Sequence, residues 1–190
     1  MARKKTITKK QILRAAYTIV ATEGFSNFTA RRVASKMKCS TQPIYLEFQN
    51  MSDLRKEVLN KINERLEQEI YSRVILGDAI LDLSIAYVEF AINEPTMYRA
   101  IYTESYPESH YVVDYGRRLF MQNLNKDLRY RDLEQSIKDS LFTQTWLTAT
   151  GIATLSSGNL YRPSREELVK AVNGTICSIL EKDDYYTQPA

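Results

Sequence analysis

One histidine, His110, and two cysteines, Cys39 and Cys177, are all that 190 residues offer to the commonest catalytic and metal-binding chemistries. A lone imidazole with no nucleophile motif gives acid–base or triad chemistry little to work with. No HExxH, no glycine-rich phosphate loop and no Cys/His/carboxylate cluster with metal-ligand spacing occurs. The cysteines lie far apart in sequence and read as reduced, buried small hydrophobes, not as a disulfide framework. No apolar run approaches the ~18 residues that a membrane-spanning helix needs. The basic start, Met1 to Lys5, is not followed by the apolar segment of a secretory leader. The expectation is a cytoplasmic protein with no membrane partner, no cofactor and no enzymatic activity. Six glycines and five prolines leave long stretches unbroken, and no segment sustains period-two alternation. The chain is therefore expected to be all-α, with about nine helices.

Charge is unevenly spread. Residues 1–50 hold ten Lys or Arg (Arg3, Lys4, Lys5, Lys9, Lys10, Arg14, Arg31, Arg32, Lys36 and Lys38) against Glu23 and Glu47, a balance of +8. The remaining 140 residues carry 16 basic and 21 acidic side chains. A tail such as Arg3 to Lys5 is ordinarily just solvated. Arg31, Arg32, Lys36 and Lys38 instead fall within a patterned segment, which reads as an electrostatic footprint for phosphates.

That segment is three short helices. Thr8 with Gln11 forms a capping box, and Ile12, Ala15, Ala16, Ile19 and Val20 recur on one face up to Glu23. Gly24 suits a helix end, with Phe25 folding back. Thr29 caps a second helix that buries Val33, Ala34 and Met37. Ser40 caps a third, where Pro43 is tolerated in the first turn and Ile44 and Phe48 face the core. A long amphipathic helix then follows Leu54, Val58, Ile62, Leu66 and Ile70 towards Val74, and Gly77-Asp78 breaks it. Further helices are expected over Ala79–Ile92, Met97–Glu104, His110–Asn125 and Leu133–Leu155, with a last one opened by the Ser164/Glu167 capping box.

Ile12, Ala15-Ala16, Gly24-Phe25, Thr29, Val33-Ala34, Ser40, Ile44-Tyr45, Phe48 and Leu54 together resemble the head pattern of the tetracycline-repressor (TetR) family of transcriptional regulators. The resemblance implies a helix-turn-helix DNA-binding domain over 1–50 and a ligand-binding and dimerisation domain over 51–190. It makes the third helix the recognition element, with Thr41, Gln42 and Pro43 facing the major groove and Arg31 beside them. Arginine forks onto guanine, glutamine pairs with adenine, and Thr or Pro offers apolar surface to a thymine methyl. Thr29, Ser40, Tyr45, Lys9 and the N-terminal lysines are then the backbone-facing set, and Tyr45 has an alternative role as a core aromatic. Two departures stand out. Lys38-Cys39 occupies a turn where the family commonly has a small residue followed by valine. Met51 replaces a lysine that often grips a phosphate, and Lys56 lies one turn further on.

The body is similar to one subset of the family at Phe90 to Tyr102, which has an Ala-x-x-x-Pro-x-x-Tyr-Arg stretch. It is similar again at Trp146 and Gly151, with Thr150 where the subset has histidine. The resemblance implies a palindromic operator, a homodimer and a small-molecule effector that releases DNA, with repression as the usual output. Phe90, Tyr98, Tyr102, Tyr111, Tyr115, Phe120 and Trp146 are the candidate ligand-binding residues, suited to an apolar or aromatic molecule. Aromatics at helical spacing also serve as ordinary core. The last two long helices, with the small residues Ala149, Gly151 and Ala153, are assigned to the dimer interface. The alternative is a non-catalytic helical protein-interaction adaptor whose basic head meets an acidic partner or a membrane surface.

Overall fold

The structure is a computed structural model describing residues 7–186, with side chains as far as residue 181. Its described residues form nine α-helices and no strand: α1 (Lys9–Glu23), α2 (Ala30–Lys36), α3 (Gln42–Glu47), α4 (Met51–Leu66), α5 (Ala79–Asn93), α6 (Pro95–Tyr102), α7 (His110–Lys126), α8 (Gln135–Ser157) and α9 (Arg165–Tyr186). A short 3-10 turn (Phe25–Asn27) follows α1 and a π turn (Glu67–Tyr71) follows α4. None of these helices is long and apolar enough to cross a membrane.

Local signals set most helix ends. Thr8 closes a capping box with Gln11 at the start of α1. Gly24 ends that helix at φ 78°, ψ 179°, a region in which essentially only glycine is comfortable. The Asp78 carboxylate caps α5 by accepting from the N–H groups of Ile80 and Leu81, both at 3.0 Å. Ser164 and Glu167 bond reciprocally at the start of α9. One expectation is corrected: the fourth helix does not run on to Val74. Leu54, Val58, Ile62 and Leu66 are buried as the period requires. The chain then widens into the π turn, where the Ser72 N–H donates to the Glu67 carbonyl five residues back. The extra residue rotates the next stretch of chain out of register, and Val74 ends 83% exposed.

The chain divides into two compact units. The first comprises residues 1–65 and 96–112, and the second comprises 66–95 and 113–190. The segment α1 to α3 therefore belongs to a larger unit than residues 1–50, one completed by α6 and the loop after it. Within this unit α1 packs on α2, α3 and the 3-10 turn, burying Ile12, Ala16, Ile19, Val20, Val33 and Ile44. The loop Thr103–Ser109 fastens to the same unit through three side chains. Glu104 accepts from the backbone N–H (2.8 Å) and hydroxyl (3.0 Å) of Ser26. The Tyr106 ring packs on Phe25 at 4.6 Å. Glu108 bonds the Ser52 hydroxyl and pairs with Arg55 at 2.6 Å.

In the second unit α5 packs against α8 and α9, which also pack on each other. The central α5 is buried on most sides, from Ile80 through Ser84, Ile85, Ala86, Tyr87, Val88, Phe90 and Ala91. Asp127 ties the end of α7 to the start of α5, accepting from the Ala79 N–H at 3.0 Å and pairing with Arg129 at 2.6 Å. The Arg129 hydrogen bonds hold its carboxyl down at about 2.

Candidate nucleic-acid interface

Because α3 has only six residues, the direction of each side chain follows from one buried anchor. Ile44 is 1% exposed and fixes the inward side. Gln42, Tyr45 and Leu46 are exposed, while Thr41 and Pro43 are half-buried. Tyr45, at 53% exposure, stands in solvent, which removes the core-aromatic alternative. Thr41 occupies the N-cap position in helical conformation and makes no side-chain capping bond. Ser40 is exposed on the turn before it. The turn itself takes Lys38 to φ 54°, the left-handed region in which a side chain costs free energy. Lys38→Gly is therefore expected to raise the unfolding free energy by about 0.5–1 kcal/mol, measured by urea denaturation.

Helix α2 presents its cations unequally. Arg31 is exposed and makes no hydrogen bond or ion pair among the described residues. Arg32, its neighbour, is held in a two-pronged pair by the Glu23 carboxylate, with both N···O distances at 2.7 Å. That hydrogen bonding lowers the Glu23 pKa and raises that of Arg32. Arg31 is thus the available guanidinium and Arg32 the internally neutralised one. The Thr29 hydroxyl accepts the Arg32 N–H at 3.2 Å as the α2 cap, which leaves its proton free to donate outward.

Lys9 is committed elsewhere in the same unit: its ammonium pairs with Glu57 at 2.9 Å and sits 5.3 Å over the Phe48 ring. Lys56 lies 5.5 Å over the Tyr111 ring, and Met51 is half-buried at the start of α4. Arg3, Lys4 and Lys5 lie outside the described residues. Sequence reasoning passed over Leu46, 72% exposed beside Tyr45. The signal was its helical offset from Ile44, which points outward whatever its hydropathy.

Of the seven candidate effector residues, Tyr98, Tyr102 and Tyr111 belong to the first unit and Phe90, Tyr115, Phe120 and Trp146 to the second. In the first unit Tyr98 is fully buried, with its ring 5.4 Å from Tyr102. Tyr111 there is 42% exposed and packs against His110 at 4.4 Å. In the second unit Phe120 and Trp146 flank Phe142, at 5.3 and 5.7 Å, making an aromatic row whose middle member the sequence did not single out. Phe90 is buried in α5, and the Tyr115 hydroxyl donates to Glu67. An open cleft of about 530 Å³ in this unit has other walls, among them Tyr71, Arg73, Asp82, Lys126 and Arg129. No cluster of three or more potential metal ligands exists among the described residues.

On α8, Ala149 and Ala153 are buried, whereas Gly151 is exposed. The three cannot share a face, because residues two apart on a helix point about 200° apart. The outward face of α8 carries Leu147 (61% exposed), Gly151 and Leu155 (43%). On α9 the exposed residues include Gly174 and Cys177.

No family model matches the chain. It is 30% identical over 99 residues to the uncharacterized HTH-type transcriptional regulator YobS of Bacillus subtilis (strain 168), covering 50% of this chain. The chain spans about half the length of that curated relative, 51% of it. A solved structure of a TetR-family protein from Vibrio parahaemolyticus superposes with a TM-score of 0.60 at 17% identity, covering 88% of this chain and 96% of that one. That likeness shows the fold: this chain is all-α and shares the fold of that protein.

Proposed function

We infer that this chain, which has the TetR fold and an HTH-type regulator among its relatives, is a DNA-binding transcriptional regulator. It binds a palindromic operator as a homodimer and acts as a repressor. A small apolar or aromatic molecule taken up by the segment 51–190 releases it. The observation that carries this reading is the outer surface of α3 and α2. Gln42, Tyr45 and an uncommitted Arg31 are all exposed, within the first 50 residues, which carry a charge of +8.

The chemistry assigns parts to these groups. Arg31 and Gln42 carry the forked donors and acceptors that distinguish guanine and adenine edges in the major groove. Thr41 and Pro43 border them. Tyr45, Thr29 and Ser40 supply hydroxyls for phosphate oxygens, which fix register without reading sequence. Lys9 joins them only by exchanging Glu57 for a phosphate. The outward stripe Leu147, Gly151 and Leu155 on α8, beside Gly174 on α9, suits a second copy, since glycines permit close helix approach and exposed leucines favour burial. Two heads then meet half-sites one helical turn apart, ~34 Å. An effector that prefers another head spacing shifts the population, with a coupling of ~1–3 kcal/mol.

Selection of bound duplexes from a random pool tests this directly. A palindrome with half-sites about one turn apart is the expected product, and log affinity should fall steeply against log salt. Gln42→Ala is expected to relax sequence choice at one position per half-site, at a cost of ~1–3 kcal/mol for the preferred base. Absence of any enriched sequence, together with salt-insensitive binding, would overturn the assignment.

A further inference from the structure

We propose that Leu46 is a specificity-determining residue that reads the 5-methyl group of one thymine in each operator half-site. The proposal rests on the DNA-binding reading above, which gives Leu46 no part.

Helical geometry places Leu46 at the centre of the exposed surface. With about 100° between successive residues, Gln42 and Leu46 each lie about 160° from Ile44, on either side of the outward pole. Tyr45 and Pro43 lie only about 100° from Ile44 and form the flanks. Ile44 is 1% exposed and Leu46 is 72% exposed, as this geometry requires. The residue projecting furthest alongside Gln42 is therefore an isobutyl group that can neither donate nor accept a hydrogen bond.

Such a group has no use for a phosphate. Among the features that base pairs present in the major groove, the apolar one is the C5-methyl of thymine. Opposite cytosine, Leu46 would cover an N4–H donor without satisfying it, so one side chain both favours thymine and disfavours its pyrimidine rival. The spacing also fits. Gln42 and Leu46 are separated by about 6 Å along the helix axis, and successive base pairs by about 3.4 Å. A glutamine on an adenine thus puts Leu46 within about two base pairs of it. The charge of the surrounding segment, +8 over residues 1–50, matches a polyanion and not an apolar protein groove.

Deoxyuridine substitution isolates the methyl group, because uracil keeps the pairing edge of thymine and loses only that carbon. In the selected operator each thymine is replaced in turn by deoxyuridine, and binding of the full chain is measured by fluorescence anisotropy. One symmetric pair of positions should weaken binding by about fourfold per half-site, and by about fifteenfold when both are replaced, the factors that burial of a methyl-sized group supplies. Leu46→Ala should lose that sensitivity at the same pair while keeping the palindrome, the salt slope and the thermal melt of the parent. Uracil sensitivity absent at every thymine overturns the proposal, as does sensitivity that survives unchanged in Leu46→Ala. Failure to select any operator sinks the DNA-binding reading and this proposal with it. A palindrome bound without methyl dependence sinks this proposal alone.

Discussion

Glu108→Ala is expected to lower the unfolding free energy by about 3–5 kcal/mol. For a chain of this size that corresponds to a fall in melting midpoint of roughly 6–20 °C. The Glu108 side chain is only 5% exposed and that of Arg55 16%, with the ion pair closed at 2.6 Å. Removing the carboxylate strands a guanidinium that is already short of partners. Its buried Nε–H meets no acceptor among the described residues, and its remaining neighbours are the Phe25 and Phe28 rings at 6.0 and 5.7 Å. The Ser52 hydroxyl loses its acceptor too. Glu108→Gln keeps the shape and one acceptor while removing the charge, so it should cost less.

The same pair sets a pH dependence. Burial raises the Glu108 pKa, but the hydrogen bonds from Ser52 and Arg55 outweigh it and leave the carboxyl below its ordinary value. A folded-state pKa depressed in this way means that the unfolded chain binds the proton more readily. The stabilisation is therefore complete above the ordinary carboxylate range and is lost as pH falls through the depressed folded value. Acid denaturation followed by circular dichroism should show a shallower dependence across that window in Glu108→Gln than in the parent. An unchanged acid limb would mean that the pair does not close in solution.

Gly24→Ala is the second large effect, about 3 kcal/mol, from two separable causes. The backbone at φ 78°, ψ 179° costs a non-glycine residue ~1–3 kcal/mol. A Cβ built at Gly24 also lands on the Glu104 carboxylate, which caps the Ser26 N–H. Displacing that carboxylate forfeits a charge-assisted hydrogen bond, ~1.5–3 kcal/mol at most and less at this exposed site. Glu104→Ala alone should then cost about 1 kcal/mol. In the double variant the steric cause disappears, so the loss should fall short of the sum of the two single losses. Urea denaturation of all four proteins measures the difference, and strict additivity would show that alanine at position 24 leaves Glu104 undisturbed.

These two sites mark where the sequence was legible and where it was not. Thr8 with Gln11, Thr29 with Arg32 and Ser164 with Glu167 are contacts across three residues, so spacing alone announces them. The helix ends and the all-α class followed from such local signals. Glu104 with Ser26 and Glu108 with Arg55 lie 78 and 53 residues apart. No periodicity encodes a pairing that only the folded chain creates, and the expected boundary at residue 50 missed the returning segment for that reason. The π turn escaped because the apolar positions keep a four-residue rhythm through Ile70 and Val74 while the backbone beneath them changes hydrogen-bond register. On α3 the pattern identified the inward residues correctly, and the outward ones were read by chemical type before direction. Gln42 was therefore noticed and Leu46 was not. Ala149, Gly151 and Ala153 illustrate the opposite slip, since smallness was read without asking which way each residue points.

The unit that carries α3 is made from two stretches of chain, residues 1–65 and 96–112. During synthesis at ~5–20 residues per second, roughly 2–10 s pass between the emergence of its first stretch and of its last. For that interval Phe25 lacks the Tyr106 ring and Arg55 lacks its carboxylate. A ribosome-bound chain halted before Tyr106 would therefore expose an unfinished unit to proteases and chaperones, and α3 would gain its completed support only once the stretch 96–112 had been translated.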